Sequence, residues 1–349
     1  TLTTAGALAE SAIAIGTDVT ASGVDAIGIG RLSKATAENA IAMGRDANAG
    51  SQYAVALGYN SVASATNAIA IGNADATGGA AVAIGYGSQA QGTSSTALGY
   101  RSHAIGANTT AVGQNAGFGS TVDSTGSLAL GGAAGMNVSG AQNIAAGGGI
   151  INVMTGAGSG VSGTRNVAMG TGDGTVMYDG TYQASAGNNV TGDDNIAIGT
   201  NAGIGVTADA TTSIGRSASA TGQSAVALGD RASASGGSAV AIGTTAQASA
   251  QWATAMGVQA AAASQSATAF GAFANAAGAG AVAVGNGSGA GSTTANTGSV
   301  AMGTAAGQFV TGAQNVAIGG GLTNTEGRGR GCDGRAEHRA GQRRRHRYL

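Results

Sequence analysis

A five-residue phrase, small–aliphatic–small–aliphatic–glycine, recurs along the chain and constrains the fold more than anything else in it. It reads Ala12-Ile13-Ala14-Ile15-Gly16, then Ala26-Ile27-Gly28-Ile29-Gly30, Ala40-Ile41-Ala42-Met43-Gly44, Ala54-Val55-Ala56-Leu57-Gly58 and Ala68-Ile69-Ala70-Ile71-Gly72. The closing glycines fall at 16, 30, 44, 58, 72, 85, 99 and 113, a step of 14 with one slip to 13. After a less regular stretch the step of 14 returns at 215, 229, 243, 257, 271 and 285. A period held for so long specifies a stack of similar units, each leaning on its neighbours.

Strict alternation over four or five residues predicts strands. Each unit also carries a second, smaller run, such as Ala47-Asn48-Ala49-Gly50, Val62-Ala63-Ser64-Ala65 or Gln89-Ala90-Gln91-Gly92. Two strands and two polar turns then make one rung, and rungs stacked in parallel make an all-β roll, a solenoid. Successive strand residues point to opposite faces, so Ile69 and Ile71 share one face while Ala68 and Ala70 share the other. The expectation is that the aliphatic face fills the interior and the flat alanine face lets another backbone approach. A slip of one residue would exchange the faces. Ordering 14 backbones per rung outweighs two buried aliphatic side chains, so the chain is expected to self-associate.

Composition agrees with this reading and removes others. The 349 residues include 66 Gly and no Pro, with 3% aromatic and 9% charged residues. Glycine at every third position is absent, which excludes collagen; a net charge of −1 is unlike the high net charge of disordered chains. Absence of Pro suits a backbone whose amides are needed as ladder donors. No initiating Met, signal peptide or run of 18 apolar residues is present, so the chain is expected to be an internal piece of a longer one without a membrane span of its own.

Four segments are expected. Residues 1–115 form the regular block, and 116–214 an irregular one in which Gly131, Gly147, Gly170 and Gly199 close units of 18, 16, 23 and 29 residues. The added residues, notably Gly172–Gly187 with Asp173, Tyr178, Asp179 and Tyr182, are expected to project as loops, where function tends to sit. Residues 215–321 resume the beat and repeat the steps of 18 and 16 at Gly303 and Gly319, each 172 residues after Gly131 and Gly147. Thr125–Gly131 (TGSLALG) matches Thr297–Gly303 (TGSVAMG) in the same offset, so the array was extended in blocks of several rungs. Residues 322–349 break the pattern: residues 1–321 hold 7 Lys and Arg against 13 Asp and Glu, a balance of −6, whereas the last 28 residues hold 8 Arg against 3 acids, a balance of +5. The switch follows Asn324 abruptly and reads as a frame-shifted or fused, non-native end; a nucleic-acid or membrane-surface tail is the weaker reading.

No catalytic constellation stands out. Cys332, the one cysteine, cannot make a disulfide or a thiolate metal site within one chain. His103, the one histidine before the tail, is expected to be a solvated turn residue. Asp193-Asp194 suggests an Asx-type turn, with a weak cation site as the lesser alternative, and Asp173 and Asp179 lack calcium-loop spacing. Gly203-Ile204-Gly205 has no lysine or βαβ context to make a phosphate loop. Trp252 and Tyr53, Tyr59, Tyr86 and Tyr100 are scattered singly, and Tyr59 and Tyr100 each follow a motif glycine; they are expected to decorate turns. An enzyme is not expected, and no cofactor or metal.

Asn67–Gly72, Asn39–Gly44, Asn195–Gly199 and Asn315–Gly319, with Ser224–Gly229 (SAVALG) and Ser238–Gly243 (SAVAIG), resemble the NSVAIG-type head repeat of trimeric autotransporter adhesins, the YadA-like head. The resemblance spans nearly all of residues 5–321. It implies a left-handed parallel β-roll, a homotrimer, and a place on the outer-membrane surface of a Gram-negative bacterium, held there by a stalk and anchor that this sequence lacks. It also implies attachment to extracellular-matrix proteins such as collagen, fibronectin or laminin, or to cells and abiotic surfaces, with autoaggregation and biofilm formation. No ligand-binding residue can be nominated, and nucleic acid is not an expected partner. The alternative is a structural spacer without a ligand of its own; an ice-binding solenoid ranks last, because threonines keep no fixed column.

Overall fold

The computed structural model describes residues 6–149, 156–172 and 185–320. Asp173, Tyr178, Asp179 and Tyr182, Cys332 and the basic tail 322–349 lie outside the described residues. Every regular element among the described residues is a β-strand, and every strand pair is parallel. The chain divides into two units at Ser217–Ala218.

In the first unit each 14-residue coil contributes a three-residue major strand and a two-residue minor strand. Ile69–Ile71 is a major strand and Asp75–Ala76 the minor strand that follows it. Major strands pair in register with those of the coils on either side: Ile69, Ala70 and Ile71 lie against Val55, Ala56 and Leu57 and against Val82, Ala83 and Ile84. Minor strands form their own eight-stranded parallel sheet, from Gly6–Ala7 to His103–Ala104. The coil with the 13-residue step keeps both registers, because the missing residue comes out of a turn.

The turns explain much of the polar composition. A residue with left-handed backbone recurs every seven positions: Asp18, Asp25, Leu32, Asn39, Asp46, Tyr53, Asn60 and Asn67 all have φ between 54° and 63°. Asn and Asp accept this conformation at least cost among non-glycine residues. The motif glycine has a second reason to be glycine. At Gly44, φ is +136° and a Cβ would lie 2.3 Å from the carbonyl oxygen of Gly58 in the next coil.

The interior is alanine, not aliphatic. One coil buries Ala68, Ala70, Ala74 and Ala76, another Ala54, Ala56, Ser61 and Ala63, all at 0–1% exposure. Ile69 and Ile71 are only half-buried on the outside, and Ile13 and Ile15 are 46% and 58% exposed. The expected orientation is therefore reversed. With a three-residue and a two-residue strand facing one another across so short a loop, the coil is flat, and only methyl-sized side chains fit between its walls. Larger ones would force the strands apart and leave voids elsewhere. The alternation was read correctly; the face assigned to the core was the wrong one.

Where the step lengthens, the coil widens and its core changes. The major strands carry on in register, Leu128–Leu130 to Ile144–Ala146, Val167–Met169, Ile196–Ile198 and Thr212–Ile214. The minor strand gives way to an Ala-Gly-x-x-Val turn. Its valines, Val138, Val161, Val190 and Val206, pack into one buried column. The site taken by alanine in most narrow coils becomes polar here: Asn143, Asn166 and Asn195 are 3–4% exposed.

The second unit repeats this plan. Its major strands run in register from Val226–Leu228 through Val240–Ile242, Thr254–Met256, Thr268–Phe270 and Val282–Val284 to the wide-coil strands Val300–Met302 and Val316–Ile318. Its minor strands make a five-stranded sheet from Ser219–Ala220 to Asn275–Ala276. Its core is again alanine, Ala225, Ala227, Ala232 and Ala234 in one coil, with Val310 in the wide-coil turn.

Candidate recognition surface

Among the described residues no three His, Cys, Asp or Glu side chains gather where they could hold a metal ion. Two interior cavities, lined by wide-coil residues such as Val190 and Val206 in one and Ser127 and Asn143 in the other, measure ≈ 10 and ≈ 20 Å³, about room for a water each. What the fold offers is surface.

The residues singled out from the sequence fall as follows. His103 is not a solvated turn residue; it lies half-buried on the minor strand His103–Ala104, its ring tilted against Phe118 at 4.6 Å. Burial, and then the nearby Arg101 charge, lower its pKa below the usual imidazole value. The signal was in the sequence: Ser102-His103-Ala104-Ile105-Gly106 fits the Ala/Ser-x-Ala-x-Gly minor run, with His103 in the variable place.

Asp193 and Asp194 are committed to the coil above them. Asp193 Oδ1 accepts the Thr164 N–H at 2.7 Å. Asp194 takes both ends of the Arg165 guanidinium, Nε to Oδ1 at 2.6 Å and Nη2 to Oδ2 at 2.8 Å. That hydrogen bonding, followed by the charge of the arginine, holds the Asp194 carboxyl below its ordinary range. Gly203 belongs to an Ala-Gly-x-x-Val turn, with Ala197 and Ser213 packed against it.

Tyr53 stands singly in a turn, with left-handed φ, but the other three tyrosines among the described residues line up. Tyr59, Tyr86 and Tyr100 occupy the same place in three coils, directly after the closing glycine, and are 56%, 64% and 46% exposed. Tyr86 and Tyr100 stack with centroids 5.6 Å apart and planes 11° from parallel. The Arg45 guanidinium lies 5.2 Å over the Tyr59 ring, and that of Arg101 lies 5.1 Å over Phe118. The signal was present in the sequence, since Tyr86 follows Gly85 and Tyr100 follows Gly99 one regular step on, while the 13-residue step puts only Tyr59 out of a strict count of 14.

A third outward feature is the aliphatic row on the major strands. Met43, Ile84, Leu130 and Met169 in the first unit, and Leu228, Phe270 and Met302 in the second, are each 37–53% exposed. Parallel in-register pairing places such side chains one above another within each unit.

A parallel β-solenoid of short glycine-terminated repeats, presenting columns of like side chains, defines a repeat protein. The YadA head domain repeat matches residues 21–47, 49–74, 76–102, 90–116, 207–232, 234–260, 253–274 and 262–288, about half of the chain. The chain belongs to this family, whose heads are the non-enzymatic adhesive parts of surface fibres. No curated protein matches the sequence. Among the described residues no helix is long and apolar enough to cross a membrane.

Proposed function

We propose that the chain is the head of a homotrimeric adhesin exposed on the outer surface of a bacterium, and that it attaches the cell to matrix proteins, cells or abiotic surfaces and to its own kind. The observation that carries the reading is the half-exposed aliphatic row on the major strands of a chain made of YadA head repeats. Rows of Ile, Leu and Met left in water are costly, at roughly 25 cal/mol per Å² of apolar area, and contiguous apolar patches mark interfaces. Sister copies pressed along these rows would cover them, and the burial would supply stability that alanine cores cannot.

Adhesion then follows from repetition. Three copies of the same columns, held side by side on a stiff scaffold, engage a repetitive ligand at many weak points and gain avidity without a deep pocket. Collagen, fibronectin and laminin are the partners to try, together with whole cells and plastic. Two measurements test the reading. Mass determination in solution is expected to give three chains per particle; a stable monomer would overturn the trimer. Solid-phase binding to the three matrix proteins and to cells is expected to be saturable, and its absence on every surface would leave a spacer that only holds other parts away from the cell.

A further inference from the structure

The chain contains its own comparison for the aromatic column. The coils closing at Gly58, Gly85 and Gly99 correspond, by the internal duplication, to those closing at Gly229, Gly257 and Gly271. The backbones agree: φ is 124°, 127° and 129° at the first three glycines and 134°, 136° and 133° at the second three. After these glycines the first block has Tyr59, Tyr86 and Tyr100, and the second has Asp230, Val258 and Ala272. The fold therefore makes no demand for a ring at this place, and rings this exposed contribute little to the core. Something other than folding accounts for them.

We infer that the column of Arg45, Tyr59, Tyr86 and Tyr100, interrupted by Asn73 in the coil that closes at Gly72 and flanked by Arg101 next to Tyr100, is a docking strip for an anionic polysaccharide. The ring faces of Tyr86 and Tyr100 are turned to one another, and that of Tyr59 is turned to Arg45. A ligand meets ring edges and phenolic hydroxyls there, with the Arg45 guanidinium over Tyr59 and that of Arg101, the residue after Tyr100, over Phe118. Ring edges carry the positive end of the aromatic quadrupole, hydroxyls donate, and guanidinium forks pair with sulfate or carboxylate oxygens. Asp46 occupies one edge of Arg45, with Nε to Oδ2 at 3.0 Å, which leaves the other guanidinium N–H groups directed elsewhere. With coils spaced by about 4.8 Å, a polymer with a charged group on its successive sugars can use several of these donors at once. Through residue 321 as a whole acids outnumber bases 13 to 7, so a polyanion is favoured only where cations and donors are gathered.

The proposal deepens the adhesin reading and rests on it. Its test is binding of the full chain to immobilised heparin and to uncharged dextran, at low and high salt, with adhesion to collagen, fibronectin and laminin measured in parallel. Heparin binding that weakens with salt, with none to dextran, is expected. Replacing Tyr59, Tyr86 and Tyr100 together by Ala is expected to weaken it at least tenfold without changing the melting temperature or the mass of the particle. Val258→Ala is expected to change nothing, and Val258→Tyr with Ala272→Tyr to strengthen binding. No heparin binding, equal binding to dextran, or binding indifferent to the triple substitution would each overturn the strip. A triple variant that binds but loses its oligomeric state would also overturn it, assigning the rings to contacts between copies. Matrix adhesion retained without heparin binding would sink the strip alone; loss of both in the unaltered chain would sink the adhesin reading with it.

Discussion

The side-chain oxygen of Asn166 accepts the backbone N–H of Asn195 at 2.9 Å, although 29 residues separate them. The same link repeats up the wide coils: Asn143 Oδ1 accepts from Asn166 N–H at 2.9 Å and Asn195 Oδ1 from Thr211 N–H at 2.8 Å. Asn143 Nδ2 donates to Gly140 O and Gly163 O, both at 2.8 Å, in its own turn and the next. In narrow coils the equivalent N–H, that of Ala40, turns to Ala37 O in its own turn at 3.2 Å. Each asparagine thus clips one wide coil to the next across the long connections.

The first prediction concerns that clip. Asn166→Ala removes a buried acceptor, leaves the N–H of Asn195 to find another partner and opens a void in the wide core. A loss of about 1–3 kcal/mol is expected, read as a lowered midpoint in denaturant. The same change at the exposed Arg165, which pairs with Asp194, is expected to lower the midpoint by much less.

A second prediction separates the two faces of a major strand. Ala70→Leu places a large side chain in a gap sized for a methyl and is expected to destabilise the fold by about 3 kcal/mol or more. Ile69→Ser on the outward face is expected to leave secondary structure intact, as circular dichroism would report. It should instead weaken association, shown by a mass distribution shifted to smaller species on dilution. Melting temperatures must be compared at one protein concentration, since association feeds into apparent stability.

Two glycines with opposite expectations give a third. Gly44→Ala combines a left-handed φ with a Cβ 2.3 Å from Gly58 O, and is expected to cost more than about 2 kcal/mol. Gly79 is free of both constraints, its nearest neighbour being Thr93 Cγ2 at 3.9 Å. Gly79→Ala is expected to stabilise by about 0.4–1 kcal/mol through the unfolded chain. Thermal melting of the pair decides both.

The fourth concerns pH. Burial raises the Asp75 carboxyl above its ordinary value, so the folded state prefers it protonated. Its contribution is fully present at acid pH and is lost as pH rises through the raised folded value. Asp75→Asn is therefore expected to raise the melting temperature at neutral pH and to lose that advantage below the ordinary carboxylate range. His103 slopes the other way. Its lowered pKa gives stability above the ordinary imidazole value that is lost as pH falls through the folded one, and His103→Gln is expected to remove that loss. Melting curves from pH 7 downwards separate the two windows.

How much of this the sequence contained can be judged from single residues. The glycines at 16, 30, 44 and onward specify the repeat, because a glycine is needed wherever one coil's backbone crowds the next. The alternation at Ile69, Ala70 and Ile71 specifies a strand with two unlike faces. The absence of Pro follows from ladders that use nearly every amide. These are local requirements, and each leaves its mark on the residue that meets it.

Which face turned inward was decided only in three dimensions. Hydrophobicity favours burying Ile69; the distance between the two walls of a coil admits only Ala70, and that distance belongs to the closed coil and to no residue in it. The same holds for Asn166, which looks like a polar variant of the motif until the wide coil encloses it. The sequence determined that this chain stacks; the width of the coil determined what lies inside the stack and what it shows to the world.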